Sequence, residues 1–434
     1  MNDLLIRNGL VRLGDADVAT DLLVRDGRIT SVGPSPEPAL ETFDAAGLRV
    51  LPGFIDPHVH FDLDLGRIRS ADDFRSGSVA AAFGGVTTFI DFLSPTDTPE
   101  ALERAFADRR REAREAVVDY RFHATIKNPR CDLERYVRTM LSLGIRSLKL
   151  FTTYSDSGRR TFDSDIERLL ELSEREGFVV LAHIEDDTRI VMEDGFTARD
   201  LPKSRPAAGE TAEALKLASF VERRGGTLYM VHCSSGATLD ALRTRYPALL
   251  GRRFFVESCP HYFAFTEDDL ASSDGALYAM APALRSAAER DRLAAGFDDV
   301  YAIGTDHCPF TREQKTKSLL RDIPMGIGGV EHAFRVLHHR FGDAVIPKMT
   351  AHPAECFGLA GIKGTIAVGA DADFVFVRPG AGTIASDHSR GHSLWLGTEV
   401  SASIAATMVR GRFAVRDGRF LGTSGRYVEG GTKR

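Results

Sequence analysis

The segment Leu51-Pro-Gly-Phe-Ile-Asp-Pro-His-Val-His60 constrains the fold of this chain more than any other stretch. An apolar run follows a Pro-Gly turn and ends in two histidines, His58 and His60. Because side chains two residues apart on a β-strand point to the same face, both imidazoles would lie on one side of the strand. This pattern predicts one wall of a metal site at the end of a buried strand.

Four later apolar segments also end in a side chain that could take part in such a site. They are 147–151 with Lys149, 179–183 with His183, 228–232 with His232, and 301–306 with Asp306. Packing alone does not explain polar ends on five apolar strands, because burying a polar group is unfavourable unless it is paired. We therefore predict one site built from the ends of several strands.

From Gly53 to about Pro353, short apolar strands alternate with segments of helical periodicity, which is typical of repeated β-α units. One helix is predicted over 165–176, where Ile166, Leu169 and Leu170 follow helical spacing. Eight strands are predicted, at 54–61, 86–92, 119–126, 147–152, 178–185, 227–233, 254–259 and 300–306. Eight such units favour a closed (β/α)8 barrel, whose catalytic groups lie at the C-terminal ends of the strands.

Both ends of the chain are rich in strand patterns and share a hairpin signal. Val24-Arg-Asp-Gly-Arg-Ile29 is echoed by Val415-Arg-Asp-Gly-Arg-Phe420, and Asp-Gly favours a tight hairpin turn. The predicted class is therefore α/β, a TIM barrel over 52–353 with a small β-sandwich built from 1–51 and 354–434. The tail after Gly422 is predicted to be mobile, because it is rich in glycine and charge.

Composition narrows the classes of function. The 434 residues include 55 basic and 61 acidic side chains, a balance that favours neither nucleic acid nor an anionic membrane as a partner. No apolar run reaches membrane-spanning length, and the first residues do not resemble a signal peptide. Five cysteines without Cys-x-x-Cys spacing indicate reduced thiols. We therefore expect a cytoplasmic protein.

Lys149 is the unexpected member of the predicted site. Imidazoles and a carboxylate suit zinc or a related divalent ion, whereas an ammonium group repels a cation. One explanation is a salt bridge between Lys149 and Asp306. The other is that the amine has reacted with carbon dioxide, since the resulting carbamate is an anion whose two oxygens could bridge two metals.

Five segments together resemble the amidohydrolase superfamily and, within its cyclic amidases, most of all the dihydropyrimidinases and hydantoinases. They are Pro52-Gly-Phe-Ile-Asp-Pro-His-Val-His60, Ser70-Ala-Asp-Asp-Phe-Arg-Ser-Gly77, Ser147-Leu-Lys-Leu-Phe-Thr-Thr-Tyr154, Glu257-Ser-Cys-Pro-His-Tyr262 and Gly304-Thr-Asp-His-Cys-Pro-Phe310. The resemblance extends over nearly the whole chain. It implies a hydrolase with two divalent metal ions, expected to be zinc, that opens a hydantoin or dihydropyrimidine ring to an N-carbamoyl amino acid.

The resemblance also implies a role for each candidate residue. One metal would be held by His58, His60 and Asp306, the other by His183 and His232, and both by carbamylated Lys149. Asp306 would take a proton from the attacking water and return it to the leaving nitrogen. Tyr154 would donate a hydrogen bond to the developing oxyanion, unless it is a loop aromatic that packs on the barrel rim. His307 is expected to support the site or to pack behind it, because its side chain points away from that of its strand neighbour Asp306. The family gives His261 no firm role.

The positions implied for substrate contact depart from the family pattern. Ala281 and Met325 stand where a serine and an asparagine are implied, so main-chain contacts could persist but side-chain contacts could not. Asp62 stands where a dihydroorotase would carry an arginine for the substrate carboxylate. Dihydroorotate is therefore not the expected substrate.

Arginines in the loops after the first and fourth barrel strands allow two interpretations. Arg67, Arg69, Arg159 and Arg160 are either solvated surface, or one of them pairs with a carboxylate on the ring substituent of the substrate. Two other functions are also considered. One is an allantoinase or another ring amidase, and the other is a non-enzymatic scaffold resembling the collapsin response mediator proteins, which lack the full metal shell. The partners implied are a small cyclic amide and further copies of the chain in a homotetramer or homodimer.

Overall fold

A computed structural model describes residues 2–34 and 37–429 of the chain. The strands are β1 (Asn2–Leu13), β2 (Ala16–Arg25), β3 (Arg28–Val32), β4 (Ala39–Asp44), β5 (Arg49–Pro52), β6 (Phe54–Val59), β7 (Val86–Phe92), β8 (Asp119–Thr125), β9 (Ser147–Phe151), β10 (Val179–His183), β11 (Thr227–Met230), β12 (Phe254–Ser258), β13 (Ala302–Ile303), β14 (Phe374–Thr383), β15 (Glu399–Val409), β16 (Arg412–Arg416) and β17 (Arg419–Phe420). The α-helices are α1 (Phe74–Phe83), α2 (Pro99–Glu112), α3 (Leu133–Ser142), α4 (Asp163–Glu176), α5 (Leu201–Ser204), α6 (Ala207–Arg224), α7 (Gly236–Arg245), α8 (Pro260–Ala264), α9 (Glu267–Leu270), α10 (Ala287–Ala295), α11 (Arg312–Lys315), α12 (Ala333–Phe341), α13 (Val345–Lys348) and α14 (Ala351–Cys356).

Strands β6 to β13 form a barrel in which each strand neighbours the next one along the chain. The pairs are parallel, and a parallel bridge between Val59 and His307 joins the last strand region to the first. The main-chain N–H of His60 also donates to the carbonyl of His307 at 2.9 Å. Each of the eight strand predictions overlaps one of these strands, so the predicted barrel is confirmed.

The helices follow the predicted alternation with the strands. Helix α4 begins two residues before the predicted start and ends at Glu176, as expected. Its Ile166, Leu169 and Leu170 are fully buried. Gly177 ends the helix with φ of +71°, a left-handed conformation that glycine adopts without strain.

The strands of both chain ends join in a single second sheet, which confirms the predicted accessory domain. Its order is β17-β16-β15-β14-β5-β1-β2-β3, and β4 pairs with β1. The two Asp-Gly hairpins lie at opposite ends of this order. In both, the aspartate and glycine have positive φ, 52° and 73° at Asp26 and Gly27, and 48° and 70° at Asp417 and Gly418.

The prediction of a mobile tail after Gly422 was wrong for residues 423–428. The N–H of Gly425 donates to the carbonyl of Ala116 at 2.7 Å. The N–H of Tyr120 donates to the carbonyl of Arg426 at 3.0 Å, and the carbonyl of Tyr120 accepts the N–H of Val428 at 2.9 Å. Without residues 423–428, main-chain groups at the start of β8 would lack hydrogen-bond partners. Residues 430–434, also part of that prediction, lie outside the described residues.

A buried ionic cluster joins the barrel to the second sheet. The ammonium group of Lys363 lies 2.6 Å from Asp119, 3.0 Å from Asp371 and 2.7 Å from Asp373. Arg410 pairs with Asp119 as well. Asp119 opens barrel strand β8, whereas Lys363, Asp371 and Asp373 belong to the segment leading into β14, so the cluster ties the two parts together.

In the described part of the chain, none of the helices combines the length and apolar character needed to cross a bilayer. All five cysteines are free thiols, and Cys233, Cys259 and Cys308 are buried.

Candidate metal centre and active site

A cavity of about 730 Å³ opens at the C-terminal ends of the barrel strands. All six residues predicted as metal ligands line it, and so does Tyr154. They are His58, His60, Lys149, His183, His232 and Asp306. The strand ends bring these side chains together from distant parts of the sequence, as parallel strands of a barrel share one C-terminal face.

His58, His60 and Asp306 form a compact group in which the possible ligand atoms face one another. The Nε2 atoms of the two histidines are 3.2 Å apart, and each lies 3.1 to 3.2 Å from Oδ1 of Asp306. Their ligand atoms all lie within 4.8 Å, close enough for one ion to contact all three. Asp306 has a left-handed φ of +49°, which is uncommon for a residue other than glycine.

His183 and His232 form the second group. Their ring centres are 4.6 Å apart, and the ring of His232 lies 5.5 Å from that of His58. The Nε2 atom of His183 lies 2.6 Å from Oε2 of Glu185, while its Nδ1 atom has no hydrogen-bond partner in the described part of the chain. This arrangement leaves Nδ1 as the ring nitrogen available to an ion.

The donors fit a bound cation for two reasons taken from this structure. The Nδ1 atom of His232 is buried and has no hydrogen-bond partner among the described residues, which is unfavourable unless something binds at that ring. Burial also lowers the pKa of His58 and His232 well below the usual value and lowers that of His183 to about 4. These imidazoles are therefore neutral near pH 7, the form in which histidine binds metals.

Lys149 is buried, and within residues 2–34 and 37–429 no carboxylate lies within ion-pair distance of its ammonium group. The predicted salt bridge to Asp306 is thus not formed. Its Nζ atom instead lies 5.2 Å from the ring centre of Phe92 and 5.5 Å from that of Phe151. Burial lowers the pKa of Lys149 to about 8, because the apolar surroundings disfavour the charged amine.

Glu257 supports both histidine groups from beneath the cavity. Its Oε1 atom lies 2.7 Å from Nδ1 of His58 and accepts the main-chain N–H of His232 at 3.0 Å. Its Oε2 atom accepts the hydroxyl of Tyr229 at 2.9 Å. Asp56 plays a related part, since it accepts the main-chain N–H groups of His58 and Thr305, both at 3.1 Å.

Tyr154 lies in the loop after β9 with a left-handed φ of +69°. Its ring centre is 5.1 Å from that of His183, and the guanidinium carbon of Arg205 lies 5.0 Å from its ring centre. Burial raises the pKa of Tyr154, although the charge of Arg205 opposes this effect. The hydroxyl is therefore protonated near neutral pH and can donate a hydrogen bond.

Ala281 and Met325, the two substituted substrate positions, both line the cavity. A buried lysine, Lys315, joins the segments that carry them. Its Nζ atom donates to the carbonyl of Ala279 at 2.6 Å and to that of Gly326 at 2.8 Å. These bonds fix the main chain next to each position.

The loop arginines differ in how they are held. Arg69 pairs with Asp62 and Asp64, both at 2.9 Å, and Arg160 pairs with Asp187 at 3.1 Å. Arg67 and Arg159 line the cavity and have no carboxylate partner in the described part of the chain. Arg67 is exposed, whereas Arg159 is half-buried and its main-chain N–H donates to the carbonyl of Tyr154 at 3.0 Å.

The two other histidines singled out from the sequence, His307 and His261, are both buried. Nε2 of His307 lies 3.0 Å from Asp72, and its Nδ1 accepts the main-chain N–H groups of Gly329 and Val330. His307 therefore holds neighbouring loops together and faces away from the ligand group. Neither ring nitrogen of His261 has a hydrogen-bond partner among residues 2–34 and 37–429.

A second group able to hold an ion consists of Glu331, His332 and Asp387, near strand β15. Arg335 already occupies it, because its guanidinium lies 2.7 Å from Nδ1 of His332 and 3.7 Å from Glu331. Nε2 of His332 lies 2.8 Å from Asp387. We interpret this group as an ionic network, since a resident guanidinium repels a further cation.

The sequence reasoning missed the residues that support the ligands. Glu257 belongs to one of the matched segments, but no role was assigned to it. Glu185 could have been found, because it lies two residues after His183 and could share its face. Nothing in the sequence around Arg205 pointed to the site. It follows a four-residue helix, and neither the residue spacing nor the composition there is typical of a functional motif.

Three comparisons place the chain among known proteins. Residues 49–414 match the model of the Amidohydrolase family. A D-phenylhydantoinase of Escherichia coli is 32% identical over 449 aligned positions, covering 97% of this chain and 96% of that protein. The structure of a D-hydantoinase from Bacillus sp. AR9 has a TM-score of 0.94 at 29% identity, and both chains are covered fully.

A dihydropyrimidinase from Brevibacillus agri has a TM-score of 0.93 at 28% identity, with 99% of each chain covered. The sequence match and the structural match both extend over almost the entire length. The chain is therefore a hydantoinase-like member of the amidohydrolase family, a family of metal-dependent hydrolases.

Proposed function

We propose that this protein hydrolyses the ring amide of a hydantoin or dihydropyrimidine and releases an N-carbamoyl amino acid. The observation that carries the proposal is the convergence of His58, His60 and Asp306 beside His183 and His232 at the mouth of the barrel. The E. coli relative is named for hydrolysis of a phenyl-substituted hydantoin, and a structural relative is named a dihydropyrimidinase. Both names describe opening of a cyclic amide.

The ligand set supports two divalent ions. One ion would be held by His58, His60 and Asp306 and the other by His183 and His232, and Lys149, as a carbamate, would contribute to both sites. Neutral imidazoles and a carboxylate favour zinc. When bound, such an ion pair lowers the pKa of a water molecule and polarises the ring carbonyl.

The carbamate on Lys149 would form when the neutral amine adds to the carbon of carbon dioxide, making an N–C bond and releasing one proton. Its support is the buried amine without a carboxylate partner in the described chain. An ammonium group left in that position would be an uncompensated buried charge. As a carbamate, the Lys149 side chain would be an anion, and the two proposed metal ions would stabilise it.

The protein groups have two tasks in the proposed reaction. Asp306 accepts the proton of the attacking water as the oxygen–carbon bond forms, and it then protonates the ring nitrogen as the carbon–nitrogen bond breaks. The Tyr154 hydroxyl donates a hydrogen bond to the carbonyl oxygen as that oxygen gains negative charge. Its proximity to His183 supports this role.

Substrate contacts follow from the cavity lining. We propose that main-chain groups next to Ala281 and Met325 bind the ring edge, since Lys315 holds the neighbouring carbonyls in place. Arg159 and, to a smaller extent, Arg67 would meet a carboxylate on the ring substituent. Arg69, a third arginine considered for this contact, is already bound by two carboxylates.

The experiment is an assay of purified protein, loaded with zinc in bicarbonate buffer, against a panel of substrates. The panel contains hydantoin, a phenyl-substituted hydantoin, an acid-substituted hydantoin, dihydrouracil and allantoin. We expect two metal ions per chain and turnover of a hydantoin or dihydrouracil. Turnover of allantoin alone would assign the protein to the allantoinases, and a protein that neither binds metal nor turns over any of these would fit the non-enzymatic scaffold.

A homotetramer or homodimer and a cytoplasmic location complete the proposal. The free thiols of the described chain support the location. Residues 423–428 are relevant to assembly, because several of their main-chain groups already form hydrogen bonds with the barrel of the same chain. Those groups are not available to bind a neighbouring subunit. Light scattering of the purified protein would measure the assembly state directly.

A further inference from the structure

Arg205 lies buried in the cavity wall, just after helix α5, with 8% of its surface exposed. Its Nε atom donates to both carboxylate oxygens of Glu185 at 3.1 Å, and its Nη2 atom donates to Oε2 at 2.5 Å. The face of Tyr154 lies against the same guanidinium, 5.0 Å from its carbon to the ring centre. One planar cation thus contacts a carboxylate and an aromatic ring at once.

Glu185 transmits the first contact to a proposed metal ligand. Its Oε2 atom lies 2.6 Å from Nε2 of His183, and Glu185 is only 2% exposed. The ionised Glu185 accepts a hydrogen bond from the Nε2–H group of His183. The imidazole therefore keeps the tautomer in which Nδ1 carries no proton. Without Arg205, the carboxylate would be a buried charge without a cationic partner.

The second contact concerns a strained loop. Tyr154 has φ of +69°, a conformation that residues other than glycine adopt only when their surroundings impose it. Its flanking residues are tied to the next loop, since Thr152 donates to the carbonyl of Glu185 at 2.9 Å and Ser155 donates to Asp187 at 2.5 Å. These bonds fix the main chain, and the cation against the ring face fixes the direction of the hydroxyl.

We propose that Arg205 is a positioning residue that aligns the metal-binding side and the oxyanion-binding side of this active site together. It orients His183 through Glu185, and it holds the ring of Tyr154 by direct contact. Arg205 is itself anchored, because Arg285 donates to its main-chain carbonyl at 2.5 Å. The Tyr154 part of the inference rests on the function proposed above, whereas the His183 part concerns metal binding alone.

The His183 part is tested by zinc titration of the full-length protein against a competing chelator. Arg205→Met and Glu185→Gln should each weaken one of the two zinc sites by about 10- to 100-fold, the usual effect of removing such support. Arg205→Lys should recover most of this affinity, because an ammonium group can still pair with Glu185. The matched control is Arg189→Met, which breaks an exposed ion pair with Asp186 in the same region.

Circular dichroism checks that each variant is folded, and Glu185→Gln, which preserves shape, carries the test if Arg205→Met does not fold. Wild-type zinc affinity in the folded variants would overturn the His183 part. The titration gives its answer even if the wild-type protein opens no cyclic amide, a result that would contradict the proposed function alone.

The Tyr154 part is tested by kinetics at saturating zinc. Arg205→Lys lacks the planar face that meets the ring, so its kcat should fall at least tenfold with little change in KM. The same substitution in a Tyr154→Phe background should have almost no further effect, because the hydroxyl it positions is already gone. An equal loss of kcat in both backgrounds would overturn this part.

Discussion

Nδ1 of His58 lies 2.7 Å from Oε1 of Glu257, a carboxylate that has no access to solvent. The same side chain accepts the hydroxyl of Tyr229 and the main-chain N–H of His232. A single buried carboxylate thus orients one histidine from each of the two ligand groups.

Replacing this carboxylate should loosen both groups. Glu257→Gln keeps the shape of the side chain, but its neutral amide oxygen is a weaker acceptor for the two nitrogen donors than a carboxylate oxygen. We expect zinc affinity to fall by about 10- to 100-fold while the fold is retained. Metal analysis after dialysis measures the effect, with Glu222→Gln, an exposed change on helix α6, as the control. Zinc binding equal to the control would contradict this role for Glu257.

Asp306→Asn separates metal binding from proton transfer. The amide oxygen can still contact an ion, but the side chain can no longer accept and return a proton. We expect turnover to fall by about 10²- to 10⁴-fold with much of the metal retained. Steady-state kinetics and metal content of the same preparation provide the comparison, and turnover at the wild-type rate would refute the proposed role.

Arg159→Met tests the specificity for acidic substituents. Since Arg159 is half-buried and free of carboxylate partners in the described chain, its loss should raise KM for an acid-substituted hydantoin about tenfold or more. KM for a neutral hydantoin should not change. Arg67→Met should have a smaller effect, because exposed ion pairs are weak.

Arg69→Met is the matched control, since Asp62 and Asp64 already bind that side chain. If neither Arg159→Met nor Arg67→Met changes KM for the acid-substituted substrate, these arginines belong to the solvated surface.

Lys315 should make stability depend on pH. Burial lowers the pKa of Lys315 to about 7 from 10.5, so between these values the folded protein lacks a proton that the unfolded chain binds. Unfolding then takes up a proton, and the contribution to stability rises with pH by at most about 1.4 kcal/mol per unit. Lys315→Met lacks this pH-dependent contribution. The unfolding free energy of the wild type minus that of Lys315→Met should therefore increase between about pH 7 and pH 9.

Urea unfolding measures this difference, and Lys317→Met, at an exposed position two residues away, is the control. A difference that stays constant with pH would mean that the amine of Lys315 keeps an ordinary pKa in the folded protein.

The sequence predicted those features that follow from local periodicity. His58 and His60 could be placed on one face because strand geometry repeats every two residues, and the barrel followed from counting strands. The Asp-Gly pairs at 26–27 and 417–418 likewise identify their own turns, since the required positive φ is a local property.

The supporting contacts could not be found in this way. Arg205 meets Glu185 and Tyr154 across segments separated by 20 residues or more, and nothing in its neighbouring sequence encodes that meeting. The same holds for residues 423–428, whose composition suggested a mobile tail. Their position depends on hydrogen-bonding groups of Asp119 and Tyr120 in β8, more than 300 residues earlier.

The cluster around Lys363 bears on how far this protein can be shortened. A fragment ending with the barrel helices would keep Asp119 but lose the lysine and arginine that neutralise it, leaving a bare anion at the foot of β8. Trimming the chain to the barrel alone should therefore destabilise it instead of yielding a minimal enzyme. The C-terminal segment, although it lies away from the cavity, thus contributes to the stability of the barrel.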